Sequence, residues 1–441
     1  MSKKLGLVVA LVGVCALSLF LLSCGSSSSR PSGLLYVLTQ GSSGVGNNVS
    51  SFAIDLSSGN LSLINSNAST CTTSDVSCGL PLDIILDPTG ATAFVLNQGV
   101  PSAGVAPTIY AYTVNSDGSL GAPPTTATAT LTVGDTAVAM TRDAAGKFLF
   151  VIDQGSVPSA ANCQFLPPNF PNVACASISV FTMQPGSTTL SAVAGSPFPV
   201  GRIPSALSAI ALTPPTGAVL PCATTTEFLY VTFNSDPALH NDNTLSAYCL
   251  DSSGTPKDLT PNSPYATQPN PLSVLAVNTN PAGQNSGGVF VYVGNQGSAT
   301  GAVSGFQVCT VVGQGNCTQE DVNSELLKPV GTSPTSVGQD PVGMVVDPTN
   351  KFLYVVNEGS SQVFGFRIGT TEGTLTALTP ANLSTGSQPV ALAMHSSGKF
   401  LYTSNNNASS ISAFAVSTTS GSMSSLNTVS SPSGPRGMAA R

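Results

Sequence analysis

The sequence is short of charged residues, which make up only 7% of its 441 residues, against about 25% in an average soluble domain. Long surface helices need charged outer faces, so this shortage argues against a mainly helical protein. Tryptophan is absent, and histidine occurs only twice. In contrast, 43 glycines and 33 prolines supply the residues that tight turns require. The composition therefore predicts an all-β protein built from many short strands.

Positive charge is also scarce, since 13 Lys and Arg are set against 20 Asp and Glu, for a formal net charge of -7. Nucleic-acid binding depends on clustered Lys and Arg side chains, so we expect no nucleic-acid partner. A hydrophobic content of 41% is too high for a chain that cannot bury a core, which argues against general disorder.

An apolar run near the N-terminus predicts export. Two lysines precede hydrophobic residues 5–22, which end at Ser23 and Cys24, the order of a secretory signal peptide. Residues 21–24 resemble the lipobox of bacterial lipoproteins, in which the cysteine is acylated. We expect a signal peptide at 1–23, a lipid on Cys24, a flexible tether at 24–33, and a lipid-anchored location in the cell envelope, at the outer membrane. An uncleaved membrane anchor is the alternative.

The cysteine content agrees with export. Ten cysteines occur in the chain; Cys15 would leave with the signal peptide and Cys24 would carry the lipid, so eight remain for an oxidising compartment. Closeness in sequence favours the pairs Cys71–Cys78, Cys163–Cys175 and Cys309–Cys317, and leaves Cys222–Cys249. Thiolate metal ligation is disfavoured because no Cys-x-x-Cys pair is present.

An apolar phrase with a central aromatic residue recurs seven times along the chain. The aromatics lie 48 to 80 residues apart and are Tyr36, Phe94, Phe150, Tyr230, Tyr292, Tyr354 and Tyr402. An apolar strand and a turn that starts with Asp or His usually come before the phrase. An alternating strand and a weaker strand near Gly-x-Leu follow it. Four antiparallel strands form one blade of a β-propeller.

The two ends of the chain complete each other. The first aromatic phrase, near Leu34, has no strand before it, whereas an unmatched first strand lies at the C-terminal end. The predicted first strands are 82–86, 137–141, 207–212, 274–277, 342–346, 390–394 and 437–440. Joining 437–440 to the blade that begins at Leu34 closes a seven-bladed β-propeller of four-stranded blades over residues 34–441, with the last blade shared between the termini and no open sheet edge.

The phrase at 352–359, Phe-Leu-Tyr-Val-Val-Asn-Glu-Gly, with Asp347-Pro before it and Val363-Phe-Gly-Phe after it, resembles the YVTN-type repeats of the seven-bladed lactonase family. That family includes 6-phosphogluconolactonase-like and muconate-lactonising proteins. The resemblance extends from about Leu34 to the end of the chain, and it implies the propeller fold and lactone chemistry. The absence of tryptophan removes the signature of Trp-Asp repeat propellers.

Polar triplets follow the second strands of several blades. They are Thr39-Gln40-Gly41, Asn97-Gln98-Gly99, Asp153-Gln154-Gly155, Asn295-Gln296-Gly297 and Asn357-Glu358-Gly359. Their Asn and Gly positions are typical of turns, and Glu358 departs from the Gln pattern. Residues ahead of the first strands should share this face, because the two strands are antiparallel neighbours. They are Asp135, Arg202, Asn270, Asp340, Gln388 and Arg436.

These rim residues form the candidate catalytic site. For lactone opening, Asp340 or Glu358 would act as the base that activates water, and Arg202 or Arg436 would stabilise the oxyanion. The alternative is that these charges only hydrate the rim or pair with one another.

The sequence leaves two functions open. The first is hydrolysis of a small lactone by an envelope enzyme, and the second is non-enzymatic binding of a protein or glycan at the cell surface. We expect a monomer without a cofactor. A metal site is disfavoured, because His240 follows a second strand whereas His395 lies in a turn at the opposite end of its blade.

Overall fold

The chain forms seven antiparallel blades around a central channel, each with four strand positions, of which the outermost is divided into two short strands in blades 3, 4, 5 and 7. The computed structural model describes residues 33–40, 47–69, 80–124, 126–132, 135–155, 176–200, 203–212, 222, 227–234, 243–259, 265–280, 287–296, 300–309, 317–318, 327–331 and 333–441. The predicted signal peptide, the lipid site Cys24 and nearly all of the tether lie outside these residues. Helix is confined, in the described part, to one short 3-10 turn at Pro101–Ala103.

The blades follow one another along the chain, and each of blades 2 to 7 begins with its innermost strand. Blade 1 contains Leu34–Thr39 (β1), Asn48–Ile54 (β2) and Leu61–Ser69 (β3). Blade 2 contains Pro81–Leu86 (β4), Thr92–Asn97 (β5), Thr108–Thr113 (β6) and Ala129–Thr130 (β7). Blade 3 contains Thr136–Arg142 (β8), Phe148–Gln154 (β9), Ser177–Thr182 (β10), Ser191–Ala192 (β11) and Phe198–Pro199 (β12). Blade 4 contains Pro204–Ala211 (β13), Glu227–Phe233 (β14), Thr244–Leu250 (β15), Pro256–Asp258 (β16) and Tyr265–Ala266 (β17).

The last three blades repeat this order, and the final strand returns to blade 1. Blade 5 contains Pro271–Asn278 (β18), Val289–Asn295 (β19), Ala302–Val308 (β20), Leu327–Pro329 (β21) and Thr335–Ser336 (β22). Blade 6 contains Pro341–Val346 (β23), Phe352–Asn357 (β24), Gln362–Ile368 (β25) and Leu375–Ser384 (β26). Blade 7 contains Pro389–Met394 (β27), Phe400–Asn405 (β28), Ser410–Val416 (β29), Met423–Ser425 (β30) and Val429–Ser430 (β31). Pro435–Ala440 (β32) is the innermost strand of blade 1, in the order β3-β2-β1-β32.

The predicted ring closure is confirmed by the pairing of the two ends of the propeller. Strand β32 runs antiparallel to β1 and places Ala440 opposite Leu35 and Ala439 opposite Tyr36. Leu34 and Arg441 exchange two backbone hydrogen bonds beyond the ladder, of 3.0 and 2.9 Å. Closure therefore joins chain ends that are about 400 residues apart in sequence.

The hydrophobic core is divided into seven clusters, one between each pair of neighbouring blades in the described structure. The second strands supply most of the fully buried aromatic rings, including the predicted Tyr354 and Tyr402. Blade faces are apolar on both sides because each blade packs against two neighbours. This arrangement explains why the aromatic phrase reads as a continuous apolar run rather than as an alternating strand.

The innermost strands begin earlier than the sequence predicts. Strand β32 starts at Pro435 rather than at residue 437, and β13 and β18 each start three residues before the predicted position. The prediction misplaced these starts because proline and polar residues are poor strand formers. Proline is tolerated as the first residue of a strand. Arg436 therefore belongs to the innermost strand itself and not to a loop that precedes it.

Aspartates close many of the turns, which explains where much of the scarce charge is used. The Asp347 carboxylate accepts the backbone N–H groups of Lys351 and Phe352 at 2.8 and 2.7 Å, and Asp143 accepts that of Phe148 at 2.6 Å. At the equivalent place His395 bonds Ser397 through Nδ1, at 2.8 Å. These residues hold turns between first and second strands, in agreement with the turn role predicted for them.

Two disulfides occur in the described residues, Cys222–Cys249 and Cys309–Cys317, and these are pairs that the sequence analysis predicts. Cys71, Cys78, Cys163 and Cys175 lie outside the described residues, so their pairing stays a prediction. In the part of the chain that the structure describes, no helix has the length and hydrophobicity needed to cross a membrane.

Hydrogen bonds from buried tyrosines connect neighbouring blades. The Tyr354 hydroxyl donates to the backbone oxygen of Gly421 in the next blade at 2.7 Å. The same bond recurs from Tyr36 to Gly118, from Tyr292 to Gly373 and from Tyr402 to Gly59. Each acceptor is a turn glycine with positive φ, and a Cβ at Gly421 would lie 2.3 Å from the Phe352 ring. A glycine is therefore required where the turn rests on the aromatic of the preceding blade.

Tyr354→Phe tests the contribution of this cross-blade bond. The substitution leaves the Gly421 carbonyl buried without its donor, which costs about 1 to 2 kcal/mol. We expect a lower midpoint of denaturant unfolding with an unchanged far-UV spectrum. Tyr110→Phe is the matched control, because its ring is buried but it makes no tyrosine-to-turn-glycine bond in the described structure. Equal losses in the two variants would contradict the assignment.

Candidate functional site

A central cavity of about 360 Å³ is lined by residues from all seven innermost strands. These strands stand at the inner end of each sheet, so within the described residues their channel-facing edges have no further strand neighbour. Unpaired backbone N–H and C=O groups are therefore available there to water or a ligand. A cavity of this size is within the range of small-molecule sites.

A β-bulge at the same place in every innermost strand shapes the cavity wall. In each strand one extra residue follows the Pro or Ala that pairs with the end of the second strand. The residues that directly follow this Pro or Ala form the upper ring, Leu82, Val138, Ser205, Leu272, Val342, Val390 and Arg436. Bulges re-aim side chains and disrupt the local ladder. Arg436 is the charged member of a ring that is otherwise aliphatic except for one serine.

The next residue of each strand forms a lower ring of mostly small side chains. Its members are Asp83, Ala139, Ala206, Ser273, Gly343, Ala391 and Gly437. Asp83 is its only acidic member. The Asp83 carboxylate accepts two backbone hydrogen bonds, from the N–H of Ile84 at 2.8 Å and from the N–H of Met140 in blade 3 at 3.3 Å.

The Asp83 side chain is partly buried and lines the cavity. Burial raises the pKa of Asp83 to about 6, although its two backbone hydrogen bonds oppose the rise. A carboxyl group with this pKa is mainly ionised at pH 7 and can still accept a proton readily, which suits a general base. The sequence analysis did not single out Asp83. The available signal was a charged residue inside an apolar strand, Leu-Asp-Ile-Ile-Leu.

Asp83 and Arg436 lie on neighbouring innermost strands, β4 and β32, where the ring closes. A Cβ added to Gly437 would lie 2.9 Å from both the Cα of Asp83 and the backbone oxygen of Leu82. The absence of a side chain at 437 therefore lets the two strands approach. Arg436 Nε donates to Gln40 Oε1 at 3.1 Å, and this bond does not use the terminal guanidinium nitrogens.

The other sequence candidates occupy a different place. Asp340 and Glu358 are adjacent in blade 6, where the Glu358 N–H donates to the backbone oxygen of Asp340 at 2.8 Å. Glu358 also accepts a bond of 2.9 Å from the Gln388 side chain. Neither carboxylate is among the residues that line the cavity. The structure thus places Asp340 and Glu358 next to each other. Of these three sequence candidates, only Arg436 lines the cavity.

The departure of Glu358 from the Gln pattern has a structural explanation. In blades 1 and 3 the amide at this position donates to the carbonyl of the proline that starts the next blade, from Gln40 to Pro81 at 2.8 Å and from Gln154 to Pro204 at 3.2 Å. A carboxylate has no hydrogen to donate. Contact with the next blade is instead made by Gln388, which donates to Glu358.

Arg202 and His240 lie outside the described residues, so the structure places neither. His395 is buried in the turn that directly follows β27, at the opposite end of that strand from its bulge, and it does not line the cavity. Within the described part of the chain, no group of three or more His, Cys, Asp and Glu side chains is arranged to hold a metal ion.

A second carboxyl group with a raised pKa lies in blade 3. Asp153 occupies a position held by Asn in four other blades: the register pairs Asp153 with Ala137, as it pairs Asn357 with Pro341. The side chain is 1% exposed and accepts a 2.7 Å bond from the Ser177 hydroxyl. Burial and, to a smaller extent, the nearby Asp135 raise the pKa of Asp153 to about 7. Asp153 does not line the cavity, which gives it a structural rather than a catalytic setting.

Fold and site together define the protein class as a closed seven-bladed β-propeller with an acid and an arginine in its channel. Residues 312–441 match the family model described as "Lactonase, 7-bladed beta-propeller". The predicted resemblance to the seven-bladed lactonase family is therefore confirmed for this C-terminal part of the chain. No curated protein is significantly similar in sequence to the chain.

Solved structures share the fold over nearly the whole chain. The periplasmic gluconolactonase PpgL of Pseudomonas aeruginosa has a TM-score of 0.60 at 16% identity, over 92% of this chain and 98% of that chain. A protein from Lactobacillus plantarum has a TM-score of 0.59 at 12% identity, over 93% and 99%. A candidate 6-phosphogluconolactonase from Bacteroides fragilis has a TM-score of 0.55 at 14% identity, over 93% and 98%. At these identities the likeness establishes the fold.

Asp153→Asn should stabilise the propeller at neutral and alkaline pH. The folded-state pKa of about 7 exceeds the unfolded value of about 3.9, so wild-type stability falls as the pH rises from about 4 to 7 and stays lowered above that. The substitution removes this loss, which is about 2 to 4 kcal/mol for a shift of this size. Thermal unfolding at pH 4 and pH 8 measures the effect.

Asn357→Asp is the matched control, because it places a carboxyl group at the equivalent position of blade 6. We expect it to lower the unfolding temperature at pH 8 and to have little effect at pH 4. A gain for Asp153→Asn that is the same at both pH values would contradict the proposed cause.

Proposed function

We propose that this propeller hydrolyses a small lactone in its central channel. The observation that carries the proposal is the placement of Asp83, whose pKa is raised to about 6, beside the strand of Arg436 in a cavity lined by all seven innermost strands. The family match and the neighbouring structure described as a gluconolactonase support lactones as the class of substrate.

The chemistry assigns one role to each side chain. Asp83 takes a proton from water as the water oxygen bonds to the lactone carbonyl carbon. The Arg436 guanidinium donates hydrogen bonds to the carbonyl oxygen, which becomes an oxyanion. The ring C–O bond then breaks, and the proton held by Asp83 passes to the departing alkoxide. The product is an open hydroxy acid, and Asp83 returns to its ionised form.

The wall of the channel suits this reaction in two ways. Aliphatic side chains of the upper ring, such as Val342 and Val390, restrict water around the reacting atoms and strengthen the interactions of Arg436 with a developing negative charge. The free backbone edges of the innermost strands offer donors and acceptors that can orient the polar parts of a substrate.

The proposal includes export and anchoring of the enzyme. The disulfides Cys222–Cys249 and Cys309–Cys317 support folding in an oxidising compartment, and the lipobox-like residues 21–24 support lipid attachment at Cys24. The membrane would then be a partner through the lipid alone. Display of the rim to a protein or glycan remains the competing function, and hydrolysis assays distinguish the two.

Asp83→Asn should lower kcat/KM for a hydrolysed lactone by about a hundredfold or more, because the base is lost. In the wild type, kcat/KM should fall as the pH drops below about 6, where Asp83 becomes protonated, and should be level above it. The variant should lose this pH dependence. Removal of a buried charge should leave its unfolding temperature equal or higher at pH 7, which separates loss of chemistry from loss of fold.

Three further substitutions make this assay decisive. Asp340→Asn and Glu358→Gln remove the bases expected from sequence, and Asp117→Asn changes an exposed turn carboxylate that bonds Ser119. Loss of activity in Asp340→Asn or Glu358→Gln with retention in Asp83→Asn would place the base at the rim. Absence of hydrolysis by the wild type across γ- and δ-lactones would favour the binding function.

Cys24→Ser should abolish lipid attachment when the full chain is expressed in a bacterial host. The wild type should incorporate labelled palmitate and partition into the detergent phase, whereas the variant should lack the label. Cys15→Ser is the matched control, since this cysteine lies inside the predicted signal peptide and should not affect labelling. Label retained in Cys24→Ser would overturn the assignment of the lipid site.

A further inference from the structure

The side chain of Gln40 links the two strands that carry the reacting groups. Its Oε1 accepts the Nε–H of Arg436 at 3.1 Å, and its Nε2 donates to the backbone oxygen of Pro81 at 2.8 Å. Arg436 is in β32, and Pro81 begins β4 two residues before Asp83. One amide therefore spans the point at which the ring closes.

The orientation of this amide is determined by its partners. An arginine Nε–H can only donate a hydrogen bond, and a backbone carbonyl can only accept one. The oxygen of the Gln40 amide must therefore face Arg436 and its nitrogen must face Pro81. A glutamate at this position could accept the hydrogen bond from Arg436 but could not donate one to Pro81, and an apolar side chain could make neither bond.

The backbone around Gln40 makes this contact a fixed one. The Gln40 N–H donates to the backbone oxygen of Gly434 at 2.9 Å, which extends the pairing of β1 with β32. On the other side of Arg436, the Ser404 hydroxyl donates to the Arg436 backbone oxygen at 2.6 Å. With its backbone and its Nε both held, the guanidinium has a defined plane.

The other blades show which part of this arrangement is special to the site. Gln154 bonds Pro204 at 3.2 Å and Asn406 bonds Pro435 at 3.2 Å, so an amide that ties one blade to the next proline is a repeated feature. At Gln40 the second half of the amide is used as well, because Arg436 lies within reach. A residue with a general structural role thus gains a second contact at the cavity.

From this geometry we propose that Gln40 is a positioning residue for the reaction, which holds the Arg436 guanidinium in the orientation that the oxyanion requires. The inference rests on the proposed function. A misplacement of about 1 Å in a charge-stabilising group can cost on the order of a hundredfold in rate. The loss should fall on kcat rather than on KM, because the oxyanion exists only in the transition state.

Gln40→Met and Gln40→Glu test the proposal, with Gln154→Met as the matched control. Gln40→Met should lower kcat by about ten- to a hundredfold with KM changed less than about threefold. Gln40→Glu keeps an acceptor for Arg436 and should recover a large part of that loss. Gln154→Met loses the same type of cross-blade bond without the arginine contact, so its kcat should equal that of the wild type.

A second readout does not depend on activity. The Arg436 Nε–H proton, assigned by its loss in Arg436→Lys, should exchange slowly with solvent in the wild type. Its exchange should be at least about tenfold faster in Gln40→Met and unchanged in Gln154→Met. If no lactone is hydrolysed but exchange responds in this way, the proposed function fails and the coupling of Gln40 to Arg436 stands. Equal kcat and equal exchange in Gln40→Met and the wild type would overturn the inference.

Discussion

The pairing of β32 with β1 is the constraint on which the rest of this molecule depends. It converts a linear series of blades into a ring, so that every blade packs against two neighbours and the described blades form one continuous circle. It also creates the candidate site, because Arg436 lies on the strand that closes the ring and Asp83 lies on the strand next to it. The candidate site and the closure of the ring therefore depend on the same segment of chain.

The bulge in each innermost strand explains how a packed propeller can contain a functional channel. The bulge interrupts the ladder and leaves proline carbonyls that side chains of the preceding blade satisfy, as Gln154 does for Pro204. It also points one residue of each blade at the cavity, so seven positions of the wall can be substituted independently. Since six of these are neutral, a single substitution such as arginine at 436 can define a site without altering the frame around it.

The sequence was sufficient for the fold because its signals are repeated and local. Each of the seven aromatic phrases predicts a strand, a turn usually precedes it, and the repetition means that an unclear signal in one blade is compensated by the signals of the other six. The site has no such redundancy. Arg436 was named as a candidate but placed ahead of its strand, because Pro435 hides the strand's start. Asp83 was passed over because an acid in one apolar strand gives no sign of facing a channel until neighbouring blades are placed around it.

Glu358 shows the opposite error, in which a departure from a repeat drew attention for a structural reason. The repeated position is an amide that donates to the next blade, and at Glu358 the donor has moved to Gln388. A break in the pattern of a scaffold residue can therefore mean that two neighbours have exchanged hydrogen-bonding roles. Only the positions of both side chains distinguish this from a functional substitution.

Asp153 and Asp83, two of the acids whose pKa values are strongly raised, separate the effect of burial from the requirements of function. Asp153 is fully buried and Asp83 is partly buried, and burial raises the pKa of each. Asp153 replaces an asparagine of the other blades, bonds Ser177 and does not reach the cavity, so its shifted pKa only lowers stability above pH 4. Asp83 bears the same kind of cost, but its carboxylate opens on the channel beside the strand of Arg436. A raised pKa identifies a buried acid, and access to the cavity is what makes Asp83, rather than Asp153, the candidate base.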